Sequence, residues 1–332
     1  MTILKQNRFI ELDALRGLAA LGVVLFHFTT WYSNKFTLNI HPYFLFPLGY
    51  CGVHLFFIIS GFVIFMTLEK TKKPFDFVVS RFSRLYPAYW TVLLINIFLV
   101  SDLGLKRFFF NFTMAEAWFN SQYIVPAFWT LTVELSFYAV MLLLFTTKNL
   151  KHIEELGLLW ISIMMLNARM GPILHFHWPW LIEKSLLLNH GNLFFAGILF
   201  YKIKYEGNTI KRQIALLLCW LTQFLVAREF FPTPVMVALF FMIFYLFCFD
   251  KIGFLKNKWI VFFGTISYSF YLIHENLGIK ILLFFDAIRI NYWLSFLAAM
   301  ACSIAAAACI TVFIEKPALK FIREKIFQKT GK

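Results

Sequence analysis

Ten stretches of about twenty mostly apolar residues follow one another along the chain, near 10–31, 48–68, 86–103, 127–146, 155–173, 186–203, 211–227, 232–250, 258–279 and 291–314. A helix needs about 20 such residues to cross a hydrocarbon core, where every backbone amide must find its partner inside the segment. The pattern therefore predicts an all-α, polytopic membrane protein of about ten transmembrane helices. The fifth and sixth stretches are the most interrupted, by Asn167, Arg169 and Gly171 and by Asn189, His190 and Asn192. With 61% hydrophobic residues, 14% charged and a mean hydropathy of +0.73, an ordinary water-soluble domain is excluded.

The net charge of +14 raises the question of nucleic acid, but the basic residues do not form a nucleic-acid-binding face. They mark topology. Twenty-two of the 31 lysines and arginines fall at one set of alternate loops and termini, Lys5 and Arg8 among them, and eight at the other, Arg228 among them; Arg16 lies inside the first stretch. By the positive-inside rule both termini are expected in the cytoplasm, in agreement with an even helix count. Glu11, Asp13 and the lack of a small-residue cleavage site argue against a signal peptide, so the first helix is expected to be retained. Cys51, Cys219, Cys248, Cys302 and Cys309 show no metal-ligand spacing and read as packing residues. No repeat, linker or long hydrophilic stretch divides the chain, so residues 1–332 are expected to form one membrane domain. The segment 104–124 reads as an interfacial or re-entrant helix on the external side.

Ionisable residues inside an apolar span are costly and mark candidate functional positions. Arg16 and His27 are eleven positions apart, almost three helical turns, so they share one face roughly 16 Å apart along the axis. A snorkelling arginine and a packed histidine would give the same pattern. Arg81 and Arg84, in SRFSRLYPAYW, share a face at a cytoplasmic mouth; they suit a phosphate-bearing ligand or positive-inside anchoring. Glu134, in FWTLTVELSFY, is too deep for bulk water and needs a partner. A hydrogen bond to His27 would fix that ring's tautomer, and a structural ion pair is the alternative. His54, Ser60 and His274 are candidate cavity-lining residues, although Ser60 has no adjacent base and each histidine could equally be an interhelical hydrogen bonder. His175 and His177 form an H-x-H without a third ligand, so no metal is expected.

The opening IELDALRGLAALGVVLFHF resembles the first helix of the acyltransferase-3 membrane family, whose signature there is an arginine and a histidine separated by ten residues. The resemblance continues through GVHLFFIISGFVIF, the paired arginines of RFSRLYPAYW, FWTLTVELSFY, ISYSFYLIH and the closing IEKP, in order along nearly the whole chain. His54 stands where many members have aspartate, which departs from an acidic role there. The resemblance implies a membrane O-acyltransferase, typically of a bacterial inner membrane, that moves an acyl group, usually acetyl, from cytoplasmic acyl-CoA to a hydroxyl, often on a cell-surface glycan. The short tail after the last stretch resembles the stand-alone form, without the extracytoplasmic SGNH-type domain of some members.

In that frame Arg16, Arg81 and Arg84 would hold the phosphates of acetyl-CoA, and His27 would act as general base with Glu134 orienting it. An acyl-histidine relay is the competing route. Trp31, Tyr32, Trp118, Tyr123, Trp178 and Trp180 would either stack on acceptor sugars or form an aromatic belt in contact with membrane lipid. The contrasting class is a transporter or flippase, in which the same charges would line a substrate or proton pathway. A second rival is another type of membrane acyltransferase with a lipid or small-molecule acceptor.

Overall fold

The structure, a computed structural model, describes residues 9–36, 44–99, 104–173, 178–226 and 232–329. Lys5, Arg8, His175, His177 and Arg228 lie outside them. The described residues contain no strand. They form α1 (Ile10–Phe36), α2 (Pro47–Lys70), α3 (Pro74–Leu99), α4 (Leu105–Phe112) and α5 (Pro126–Thr146). There follow α6 (Ile153–Ile173), α7 (Trp180–Ser185), α8 (Gly191–Glu206), α9 (Ile210–Val226) and α10 (Pro232–Cys248). The chain ends in α11 (258–287) and α12 (292–329). Each of the ten apolar stretches overlaps a long helix, in order, whereas α4 and α7 are short. By length and composition α1, α2, α5 and α12 can cross a membrane; α10 is apolar but shorter.

Local chemistry sets several of these helix starts. Proline occupies the first turns of α2 and α5, where its missing N–H costs nothing. The Asn257 and Asn291 side chains accept the free backbone N–H of Trp259 and Trp293, each at 2.9 Å. Between α4 and α5 the chain turns back on itself. Asn111 Oδ1 accepts the Ile124 N–H at 2.9 Å and its Nδ2 donates to the Gln122 carbonyl at 2.9 Å. This brings Glu116 into the interior, where it accepts from Tyr89 Oη at 2.7 Å and Thr132 Oγ1 at 3.3 Å.

Two glycine contacts seat the central helices. A Cβ on Gly17 of α1 would lie 2.5 Å from the Gly264 backbone nitrogen of α11, and one on Gly197 of α8 would lie 2.7 Å from the Phe62 nitrogen of α2. Small residues at such crossings let backbones approach closely. Ten residues beyond Gly17 is His27, and ten beyond Gly264 is His274, and these two also meet. α1 and α11 therefore run parallel and in step. Cys51, Cys219 and Cys248 are buried, as packing residues should be, whereas Cys302 and Cys309 are exposed on α12.

Three helices are widened by a π-turn, at His27–Trp31 in α1, His274–Gly278 in α11 and Thr311–Glu315 in α12. Such turns are rare and recur at functional sites. Here they carry His27, His274 with Glu275, and Glu315.

Candidate active site

An open cavity of about 790 Å³, counting its mouth, lies between α1, α2, α3, α5 and α11. Arg16, Arg81 and Arg84 line it together with Ser60, Glu134 and Tyr138. Five of the eight residues singled out from the sequence thus meet in one place. His27, His54 and His274 are not among the lining residues.

The helix ends explain the arginine side. Arg84 of α3 is ion-paired through Nη1 with Oε1 of Glu315, the glutamate of IEKP on α12. Oε2 of Glu315 accepts from Ser269 at 3.0 Å and Thr311 at 3.4 Å, so this buried carboxylate is held from three elements. Arg16 reaches Asp13, one turn back, at 3.3 Å. Arg81 donates to Ser80 Oγ at 3.0 Å, lies against the rings of Phe77 and Tyr138, and leaves its Nε without a hydrogen-bond partner. Glu134 accepts from Ser60 Oγ at 2.9 Å and from Tyr138 Oη at 2.5 Å.

His27 has other neighbours. Its Nε2 stands 4.0 Å from Glu275 Oε1, and its Nδ1 lies 2.9 Å from the Val23 carbonyl and 3.3 Å from His274 Nε2. The expected pairing of Glu134 with His27 is therefore corrected: the carboxylate beside His27 is Glu275, and Glu134 serves Ser60 and Tyr138. The reason is the step between α1 and α11, which brings position 275 beside position 27, whereas the bonds of Glu134 run to the mid-α2 serine and to its own helix.

The hydrogen-bond partners also assign the ring protons. A carbonyl can only accept, so the Val23 contact puts the proton of a neutral His27 on Nδ1. His274 Nδ1 faces the Tyr271 carbonyl at 2.8 Å and carries its proton by the same rule. His274 Nε2 is then an acceptor, matching the Nδ1–H of His27. His27 Nε2 keeps its lone pair, with Glu275 close enough to stabilise a positive ring. Glu275 is itself anchored, since its Oε2 accepts the Ala127 N–H at 2.7 Å. His27 keeps 15% of its side chain exposed against 3% for Glu275, so the histidine is the accessible member.

Tyr271 joins the two clusters. Its ring lines the cavity, its carbonyl holds His274, and its hydroxyl donates to the Ala127 carbonyl at 3.1 Å while accepting from Thr130 at 3.0 Å. On the other face of α5 a second cavity is lined by Tyr123, Trp129, Thr132, Ser136, Asn189 and His190, among others. His54 is buried beside Tyr50 with its Nδ1 unpartnered.

Sequence reasoning missed Glu275 and Glu315. Both were visible as lone acids at the ends of apolar stretches, in LIHENL and FIEKP. Neither stands on a helix face with Arg16 or His27, because their partners come from other helices.

A model of the acyltransferase-3 family, described as an acyltransferase domain, matches residues 9–312. A protein of Acidianus two-tailed virus, provisionally named an acetyltransferase, is 27% identical over 295 residues, covering 82% of this chain and 84% of that protein. One from Staphylococcus aureus (strain COL), provisionally named an O-acetyltransferase, is 25% identical over 335 residues and covers 81% of this chain. The chain spans about half of that protein's length, 51%. The exopolysaccharide production protein ExoZ of Rhizobium meliloti is 29% identical over 107 residues, 29% of this chain and 34% of its own. No solved structure matches.

Proposed function

The chain belongs to the acyltransferase-3 family and is an acyltransferase, and from that premise we propose that it transfers an acetyl group from acetyl-CoA at the cytoplasmic face of a bacterial inner membrane to a hydroxyl of a cell-surface glycan or its lipid-linked precursor. The observation that carries this reading is the contact between an arginine-lined cavity and the His27, His274 and Glu275 cluster, made by the wall residue Tyr271, whose carbonyl holds His274. The guanidiniums of Arg16, Arg81 and Arg84 suit the phosphates of the donor. The apolar walls of Val53, Phe56 and Leu85 suit its pantetheine arm.

In the reaction His27 Nε2 takes the proton of the acceptor hydroxyl as its oxygen attacks the thioester carbonyl. The C–S bond then breaks, and the departing thiolate recovers that proton from the imidazolium. Glu275 stabilises the imidazolium while it lasts, and the Val23 carbonyl holds the ring in the tautomer that leaves Nε2 free. Glu134, held by Ser60 and Tyr138, contributes to the cavity wall rather than to proton transfer. An acceptor rich in hydroxyls is supported by the name of the Rhizobium relative.

The test is acceptor-dependent release of CoA from acetyl-CoA by membranes carrying the protein. His27→Ala is expected to lower the rate by about 10²–10⁴. An unchanged rate would remove His27 from the chemistry. Mass spectrometry and NMR of surface polysaccharides with and without the gene identify the acceptor, and an unaltered set of O-linked acetyl groups would refute the glycan.

A further inference from the structure

Arg323, near the end of α12, has no role in the cavity described above, yet it is fixed beside it. The C-terminal part of α12 packs on α3, and Arg323 Nη2 donates to Ser80 Oγ at 3.1 Å. Arg81 Nη2 donates to the same oxygen at 3.0 Å. Two guanidiniums therefore converge on one neutral hydroxyl, and Arg84 is within electrostatic reach of Arg323 as well. Among the described residues no carboxylate pairs with Arg81 or Arg323; Glu315 already holds Arg84. The Nε atoms of both Arg81 and Arg323 are buried without a hydrogen-bond partner.

Like charges gathered this closely repel, and buried donors left unmade are costly. The group that relieves both is an anion with several acceptor oxygens. A phosphate ester offers these and matches the planar fork of each guanidinium, whereas a serine hydroxyl offers a single oxygen. Arg81 lines the cavity but Arg323 does not, so the convergence borders the cavity and does not lie within it.

We propose that Ser80, Arg81 and Arg323 form a phosphate-ester site bordering the cavity. Its natural occupant, resting on the acyl-CoA reading above, is the nucleotide end of the donor, with the acyl end directed inward. The site then works as a specificity element, favouring a nucleotide-bearing thioester over a bare pantetheine thioester.

The test uses the full chain in phosphatidylcholine nanodiscs, with adenosine 3′,5′-bisphosphate as probe in calorimetry. Arg323→Ala and Ser80→Ala are expected to weaken its binding, Arg323→Ala by about tenfold or more, with Arg323→Lys recovering part. The ratio of kcat/KM for acetyl-CoA to that for S-acetylpantetheine is expected to fall by a similar factor in Arg323→Ala. Because a fold defect would lower both substrates together, that ratio separates binding from damage. Wild-type affinity for the bisphosphate in Arg323→Ala overturns the site. Phosphatidylglycerol that displaces the bisphosphate when added to the discs assigns the phosphate to a lipid headgroup and overturns the nucleotide assignment. Bisphosphate binding without turnover of acetyl-CoA would leave the site standing and remove the donor reading. Turnover with an unchanged ratio in Arg323→Ala would do the reverse.

Discussion

Arg212 and the arginines of the cavity are chemically identical groups in opposite states of hydrogen bonding. Arg212 donates from Nε and Nη2 to Glu154 Oε1 at 3.0 and 2.8 Å, from Nη2 also to Glu206 at 2.5 Å, and from Nη1 to the Lys202 and Gly207 carbonyls at 3.1 and 2.6 Å. All three of its nitrogens are engaged, and the result is a knot joining α6, α8 and α9. Arg81 and Arg323 share one hydroxyl and keep a bare Nε each. Arg84 is intermediate, held by one carboxylate and still open to the cavity. A guanidinium saturated within the chain holds helices together, whereas one with spare donors is available to a ligand. Saturation, more than charge, separates the two environments.

The largest effect on folding is expected at the knot. Arg212→Ala removes the hydrogen bonds of the guanidinium while Glu154 keeps Lys202 at 3.4 Å, and it is expected to cost about 3 kcal/mol, the upper end for a hydrogen bond to a charged group. It would be read as a lowered Tm in detergent, with the donor KM of the surviving protein unchanged. Arg84→Ala is expected to act on both properties. It should raise the donor KM by about tenfold and lower stability by about 1–3 kcal/mol, because buried Glu315 loses its cation while Arg84 itself is partly solvated. Arg81→Ala should raise KM by about tenfold with Tm held or increased, since it relieves repulsion with Arg323 and removes no ion pair. A clear loss of Tm there would break the distinction. At the bottom of the scale, Lys211→Ala removes an exposed pair with Glu155 at the edge of the knot and should leave Tm and kinetics unchanged.

The helices were legible because their cause is local. About twenty apolar residues in a row need no partner to declare themselves, and each of the ten stretches overlaps a helix. That Arg16, Arg81 and Arg84 would act together was what the family resemblance implied, and in the structure all three line one cavity with Ser60. The partner of His27 was not legible. Glu134 and Glu275 are both carboxylates in apolar surroundings, and choosing between them requires the rotation of α5 and α11 about their axes. For α11 against α1 that rotation is set by the Gly17 and Gly264 contact and by the π-turns, which shift the side-chain register after His27 and at His274. A regular 3.6-residue helix, the only helix a sequence pattern assumes, contains no such shift.

By itself, the sequence determined the helical class, the order of the apolar segments and the shared face of Arg16 and His27, since each follows from composition or from periodicity within one segment. The tertiary structure decided which carboxylate serves His27, which carboxylate restrains Arg84, and which arginines keep donors to spare. Those outcomes depend on contacts between segments far apart in the chain, where one residue of helical register turns a side chain by about 100°.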